Sequence, residues 1–232
     1  MARRIRRILA AGEPRGDVDR LKQLMEQVEL VGADAVALVG NLTREGSGLE
    51  DYRAIFKTLG PPRVETFWVP GPADAPVTGY LRESSNIETV FPYLHGVHGT
   101  AALGSGHILF AGMGGEVLDD PGTPRDEERA LRYPAWEVDY RLKVLREFAH
   151  DYDKVLMFAT PPAHKGLHQP GSDVLAELIK TYDPRVALVA GGDGVHHELL
   201  GRTLVVLTGS LARGEYALVD IQDRKVERVK FD

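Results

Sequence analysis

The sequence predicts an α/β domain in which two mixed β-sheets pack face to face with helices on the outside. Three observations carry this reading. Along the first third of the chain, short apolar runs alternate with amphipathic stretches, and strand, helix, strand in that order implies parallel pairing with right-handed crossovers. The last third carries apolar runs separated by short turns, an antiparallel pattern. Finally, 232 residues, 43% apolar and 27% charged, can bury well over half of their surface around one core. Residues 1–232 are therefore read as a single domain.

Ile5–Ala11 reads as the first strand, behind a basic lead-in. Asp17–Leu30 reads as a helix: Asp17 is a good N-cap, and Leu21, Leu24, Met25 and Val28 fall on one face. Ala35–Val39 is a buried strand, Leu49–Leu59 a helix and Val64–Val69 a third strand. Pro70-Gly-Pro72 then breaks the chain. In the irregular middle, short strands are expected near Ile87–Val90 and His107–Ala111, followed by one long helix over Pro134–Ala149. Lys154–Phe158 is a strand, Gly171–Tyr182 a helix and Arg185–Ala190 a strand. Thr203–Leu207, Glu215–Ile221 and Lys225–Val229 complete the tail as an expected antiparallel set. An acidic, turn-rich insert spans Glu116–Tyr133. It is expected to be a solvated excursion, with a lid or a subunit-contact arm as the alternatives.

Composition removes several functions. With no cysteine, disulfides, thiolate metal sites and cysteine nucleophiles are excluded. No stretch approaches the ~20 apolar residues of a membrane span. The apolar run Ile8–Ala11 is too short for a signal peptide, so a cytoplasmic protein is expected. A formal charge of −6 argues against a sequence-independent nucleic-acid binder, although it leaves room for a local basic cleft. Gly112-Met-Gly-Gly115 lacks the spacing and lysine of a P-loop, and Gly104-Ser-Gly106 lacks the glycine pattern of a nucleophile elbow. Trp136, Tyr140 and Leu145 read as core or interface residues.

The strand-end loops hold the polar residues of interest, where open α/β sheets bind ligands. In order they read Gly12-Glu-Pro-Arg-Gly16, Gly40-Asn-Leu42, Pro70-Gly-Pro-Ala-Asp74, Ala159-Thr-Pro-Pro162, Gly191-Gly-Asp-Gly194 and Thr208-Gly-Ser-Leu211. This order and spacing resembles the calcineurin-like metallophosphoesterase superfamily over essentially the whole chain. The resemblance implies a four-layer αββα sandwich. It also implies loops reading D-x-H-G, G-D, G-N-H-D/E, a lone His and G-H-x-H, which in that family hold two divalent metals. Here Glu13 stands in the place of the Asp and Arg15 in that of the His, while Asn41 replaces the bridging Asp. Pro72 and Ala73 replace the Asn-His pair and leave Asp74; Ala159 takes the place of the lone His. Gly192 and Gly194 stand where the last two His belong if that loop is aligned from its start, whereas alignment back from Glu198 keeps His197. A guanidinium about 4 Å from a divalent ion, at an effective dielectric near 20, costs roughly 8 kcal/mol. No metal is therefore expected at the family site. Were one held, its ligands would be drawn from Glu13, Asn41, Asp74 and His197, and the ion would be manganese, zinc or calcium.

Arg15 directly precedes the start of a helix at Gly16-Asp17, an arrangement suited to phosphate. The alternative is that it pairs with Glu13 or Asp74 and fills the vacated cavity. A second cluster, His164-Lys165-Gly-Leu-His168 with His196, His197 and Glu198 in the next loop, suits either a transition metal or a substrate phosphate, or is simply a solvated rim. The leading expectation is a phosphoesterase-fold protein with a decayed dinuclear site that binds a small phosphorylated ligand. An active phosphomonoesterase or phosphodiesterase with an atypical metal site, and an oligomeric scaffold, are the alternatives.

Overall fold

A computed structural model describes residues 4–120, 122–148, 151–167, 170–191 and 193–231. Numbered in chain order, the first sheet runs β14 (Lys225–Lys230), β13 (Glu215–Asp220), β1 (Arg7–Gly12), β2 (Ala35–Val39), β3 (Glu65–Val69) and β4 (Leu94–Gly96). The second runs β11 (Val195–Leu200), β12 (Thr203–Thr208), β10 (Val186–Val189), β9 (Asp153–Phe158), β6 (Ile108–Met113) and β5 (Thr100–Gly104). Both sheets are mixed. β1, β2, β3 and β4 are parallel, as are β12, β10, β9 and β6; β13 and β14 at one edge of the first sheet, and β11 and β5 at the two edges of the second, pair antiparallel.

Alternation along the strands explains the layering, because successive side chains point to opposite faces. On β1, Ile8 and Ala10 join the core between the sheets, while Leu9 and Ala11 face the helices. Phe67 of β3 and Phe110 of β6 stack across the middle, with ring centroids 3.6 Å apart and planes within 7°. Outside the first sheet lie α1 (Val18–Val31), α2 (Leu49–Leu59) and α3 (Val77–Val90); outside the second lie α4 (Ala135–Leu142) and α5 (Asp173–Tyr182). The expected face of α1 is the buried one: Leu21, Leu24, Met25 and Val28. Asp17 caps it by accepting from Arg20 N at 3.0 Å.

Several elements differ from the sequence reading. Ile87–Val90 is the last turn of α3, because Val77, Tyr80, Ser84 and Ile87 recur at helical rather than strand spacing. The long helix over Pro134–Ala149 is shorter. It stops at Leu142 and tightens into a 3-10 turn over Lys143–Arg146, which keeps Leu142 and Leu145 on one buried face three residues apart; Ala149 lies outside the described residues. Trp136 and Tyr140 are 62% and 60% exposed, so they are not core, whereas Leu145 is. The tail is not one meander. β12 pairs parallel with β10 in the second sheet, and only β13 and β14 cross to the first.

The ends of the insert are packed, while its middle, with Asp120, Gly122, Pro124, Arg125, Glu128 and Arg129, is exposed. Val117, Leu131 and Tyr133 are buried, and β7 (Glu116–Leu118) pairs with β8 (Arg132–Pro134). Val77 N donates to Glu127 O at 2.8 Å and Leu131 N to Pro72 O at 3.1 Å. Asp119 reaches the start of α5, accepting from Ser172 Oγ at 2.5 Å and Asp173 N at 2.6 Å. Its three apolar anchors are too widely spaced among charged residues to show a period.

Candidate functional site

The loop after β1 is locked to the loop after β2. Glu13 N donates to Val39 O (3.0 Å), Arg15 N to Asn41 O (3.0 Å) and Gly16 N to Leu42 O (2.8 Å). Within that lock Glu13 and Arg15 both adopt left-handed backbone, at φ 46° and 51°. For residues with a Cβ this costs on the order of 1–2 kcal/mol each, and backbone outliers of this kind gather at functional sites. Two glycines allow the loops to meet. A Cβ at Gly12 would lie 2.4 Å from Gly209 O, and one at Gly71 would lie 2.2 Å from Asn41 Oδ1.

Three of the expected residues converge here. Arg15 Nη2 donates to Glu13 Oε2 at 2.9 Å, and Asn41 Nδ2 donates to Glu13 Oε1 at a long 3.4 Å. Asn41 Oδ1 accepts from Ala73 N at 2.8 Å, so its oxygen faces the third loop. The Arg15 side chain is 52% exposed, and therefore lies at the rim rather than buried in a cavity. The first turn of α1 already carries the Asp17 carboxylate, so the helix start is not an open anion site. Sequence reading missed Arg44, whose Nε donates to Arg15 O at 3.0 Å and which stands exposed beside the pair. Its place two residues beyond Leu42 in a strand-end loop was the available signal.

Asp74 is displaced from the expected role. It is fully buried and turned inward, accepting from Gly71 N, Leu42 N, Thr43 N and Thr43 Oγ1, each at 2.8 Å, with Tyr52 Oη at 3.4 Å. Burial pushes its pKa up to about 6 against the pull of those donors. Its carboxylate ties the second and third loops together and has no face toward the cleft.

The histidine cluster is arranged differently from the expectation. His196, His197 and Glu198 lie on edge strand β11 rather than in a loop, because Val195 and Leu200 at its ends are buried. The His196 and His197 rings are both exposed, with centroids 6.4 Å apart. His196 Nε2 stands 3.5 Å from Glu198 Oε1, two residues along on the same face. His164 Nε2 pairs with Leu199 O at 2.9 Å, so the 163–167 loop does lie against β11, as the topology implied. Lys165 is exposed there, and His168 lies outside the described residues. Among the described residues, no group of three or more His, Asp or Glu is close enough to hold a metal ion.

A buried network behind the third loop also escaped the sequence reading. Gly114 N donates to His98 Nδ1 at 3.0 Å, which leaves the proton of the neutral ring on Nε2, 3.0 Å from Tyr133 Oη. Tyr133 Oη donates in turn to Glu127 Oε1 at 2.9 Å. Burial, and then the Arg141 charge, lowers the His98 pKa to about 4.

Two stacked mixed sheets with helices outside them form a four-layer αββα sandwich, with polar loops gathered at one end of the parallel strands. Residues 45–231 match the family model described as "Metallophosphoesterase, calcineurin superfamily", and the chain belongs to that family. The structure is similar to that of TT1561 of Thermus thermophilus, with 45% identity, a TM-score of 0.93, and coverage of 97% of this chain and 99% of that one. It also resembles a dimetal phosphatase from Danio rerio (9% identity, TM-score 0.63, 99% of this chain and 100% of that one). GAP50, the anchor in the inner membrane complex of Plasmodium, is similar at 11% identity and TM-score 0.58, over 99% of this chain and 89% of that one. The last two likenesses show the fold alone. No curated protein matches the sequence significantly. Among the described residues, no helix is long and apolar enough to cross a membrane.

Proposed function

We propose that this protein binds a phosphorylated small ligand at the Glu13–Arg15–Asn41 loops, and that its dinuclear metal centre is degenerate. The carrying observation is the Arg15–Glu13 ion pair, held by strained backbone where the family resemblance places metal ligands. A dinuclear centre needs anionic bridging to offset the repulsion between its ions. Asn41 supplies a neutral oxygen, Asp74 is spent on loop backbone, and Glu13 is already neutralised by a guanidinium. The residues present do not fit two divalent ions.

They do fit an anion. The pair engages Nη2 of Arg15, and a guanidinium carries five N–H donors, so it can accept phosphate oxygens while remaining paired. Arg44 stands beside it as a second cation. Titration calorimetry with inorganic phosphate and a phosphomonoester tests the reading, combined with elemental analysis of protein purified without chelator. Binding that Arg15→Ala and Arg44→Ala each weaken supports it. Two stoichiometric transition-metal ions per chain together with phosphoester hydrolysis would sink it, in favour of an active phosphoesterase.

A further inference from the structure

The opposite end of the sandwich carries a second polar feature. The starting ends of the parallel strands β6, β9 and β10, with the turn before β12, frame an open cleft of about 950 Å³. That is at the upper end of the ~300–1,000 Å³ typical of small-ligand sites. Arg4, Arg146, Lys154, Arg185, Arg202 and Arg224 line it, against the carboxylates Asp151, Asp153 and Asp183. A chain of formal charge −6 thus gathers six cations around one cleft, against three lining carboxylates and Asp139, which pairs with Arg146 Nη2 at 3.3 Å. The cations arrive from six separate segments, so this is a product of the fold and not of a local run of basic residues.

The carboxylates orient these cations. Asp153 accepts from Arg4 Nη2 at 2.5 Å and Arg185 Nε at 2.8 Å, one acid holding two guanidiniums. Asp183 accepts from Arg202 Nε at 3.3 Å. Each arginine keeps further N–H donors after such a pairing. Tyr182 also lines the cleft. It is 5% exposed, with Arg146 and Asp139 as the polar neighbours of its hydroxyl.

We propose that this cleft is a second anion site, separate from the Arg15 loops, which takes a compact ligand bearing two or more linked phosphate groups. One phosphate would leave most of its volume and most of its cations unused. A long nucleic-acid backbone would have to run past the three aspartates. The proposal does not rest on the reading of the Arg15 loops.

The test uses the full chain, with inorganic triphosphate as the probe, in titration calorimetry at about 100 mM salt, where screening already suppresses exposed charges. Saturable triphosphate binding, tighter than that of inorganic phosphate, is expected, and one such site per chain should persist in Arg15→Ala, in which the anion site at the loops is weakened. The double variant Arg202→Glu, Arg224→Glu alters turn residues between strands and should weaken it at least about tenfold. Measured in the Arg15→Ala background, the tenfold loss caused by the double variant belongs to this cleft and not to the loops. A nucleoside triphosphate bound as tightly as inorganic triphosphate would mean that only the phosphates are read; tighter binding would add a base contact to the same site. Absence of saturable binding to the unmodified protein, or a folded double variant that binds equally well, overturns the proposal. So does a single-stranded RNA oligomer that displaces triphosphate far more efficiently than its phosphate content explains.

Discussion

His98→Gln should change how stability depends on pH, in a direction the structure fixes. A histidine whose pKa falls from 6.5 to about 4 on folding is held neutral in the native state. Between those values the unfolded chain binds the extra proton. The contribution of His98 is therefore complete above pH 6.5 and is lost as pH falls toward 4. At about 1.4 kcal/mol per pH unit the full difference is about 3 kcal/mol, and nearer 2 kcal/mol because His98 retains some contact with solvent. Asp74 runs the opposite way. Its native pKa is raised to about 6 from 3.8, so its contribution is complete below pH 3.8 and is lost as pH rises to 6, again by about 3 kcal/mol. Between about pH 4 and 6 the two slopes oppose each other. Glutamine can still accept from Gly114 N and donate toward Tyr133 without titrating. Urea unfolding of both proteins at pH 7, 5.5 and 4.5 isolates His98, since every other group is common to the pair. The variant should gain about 2 kcal/mol on the parent between pH 7 and 4.5, with unchanged m-values. A difference that stays constant with pH would refute the claim that His98 is neutral and shielded in the fold.

Three further outcomes are expected. Arg15→Ala should cost no more than about 1 kcal/mol in stability, because the pair with Glu13 is half-exposed; a loss above about 2 kcal/mol in thermal or urea unfolding would show that the guanidinium is buried in solution. Phe110→Ala removes one ring of the stacked pair between the sheets and should destabilise by about 3–5 kcal/mol, with loss of cooperative unfolding as the extreme case; a loss below about 1 kcal/mol would mean that the sheets do not pack through these rings. The combination Glu13→Asp, Arg15→His, Asn41→Asp and Ala73→His should raise manganese affinity far more than the single changes summed, since coordination needs several ligands at once; unchanged affinity in calorimetry would mean that these loops do not correspond to the family's ligand positions.

The two-sheet plan was legible because it is written in periods and punctuation: buried runs such as Ala35–Val39, the amphipathic face of α1, and glycines and prolines at the strand ends. The meeting of Glu13, Arg15 and Asn41 followed from loop order. What a loop side chain does once it arrives did not, because orientation is decided by partners far along the chain. Asp74 turns inward because Leu42, Thr43 and Gly71 present four donors to it. His196 and His197 look like a loop pair in sequence, yet Val195 and Leu200 draw the segment into an edge strand, where both imidazoles stay exposed with ring centroids 6.4 Å apart. The insert hid its packing for the same reason: Val117, Leu131 and Tyr133 are apolar anchors in a charged segment with no regular period.

Strand β1 is flanked by β2 on one side and by β13, nearly the whole chain length away, on the other. During synthesis its βαβ partners emerge early, but its second edge stays open until almost all of the protein has been made. The loop that carries Arg15 shares this delay, because Gly12 closes against Ser210 and Gly209. Contacts this distant in sequence are slow to form, and an uncovered strand edge invites pairing with other chains while it waits. Refolding yield should therefore fall with protein concentration, and a chain cut short before Glu215 should aggregate rather than fold to a stable core.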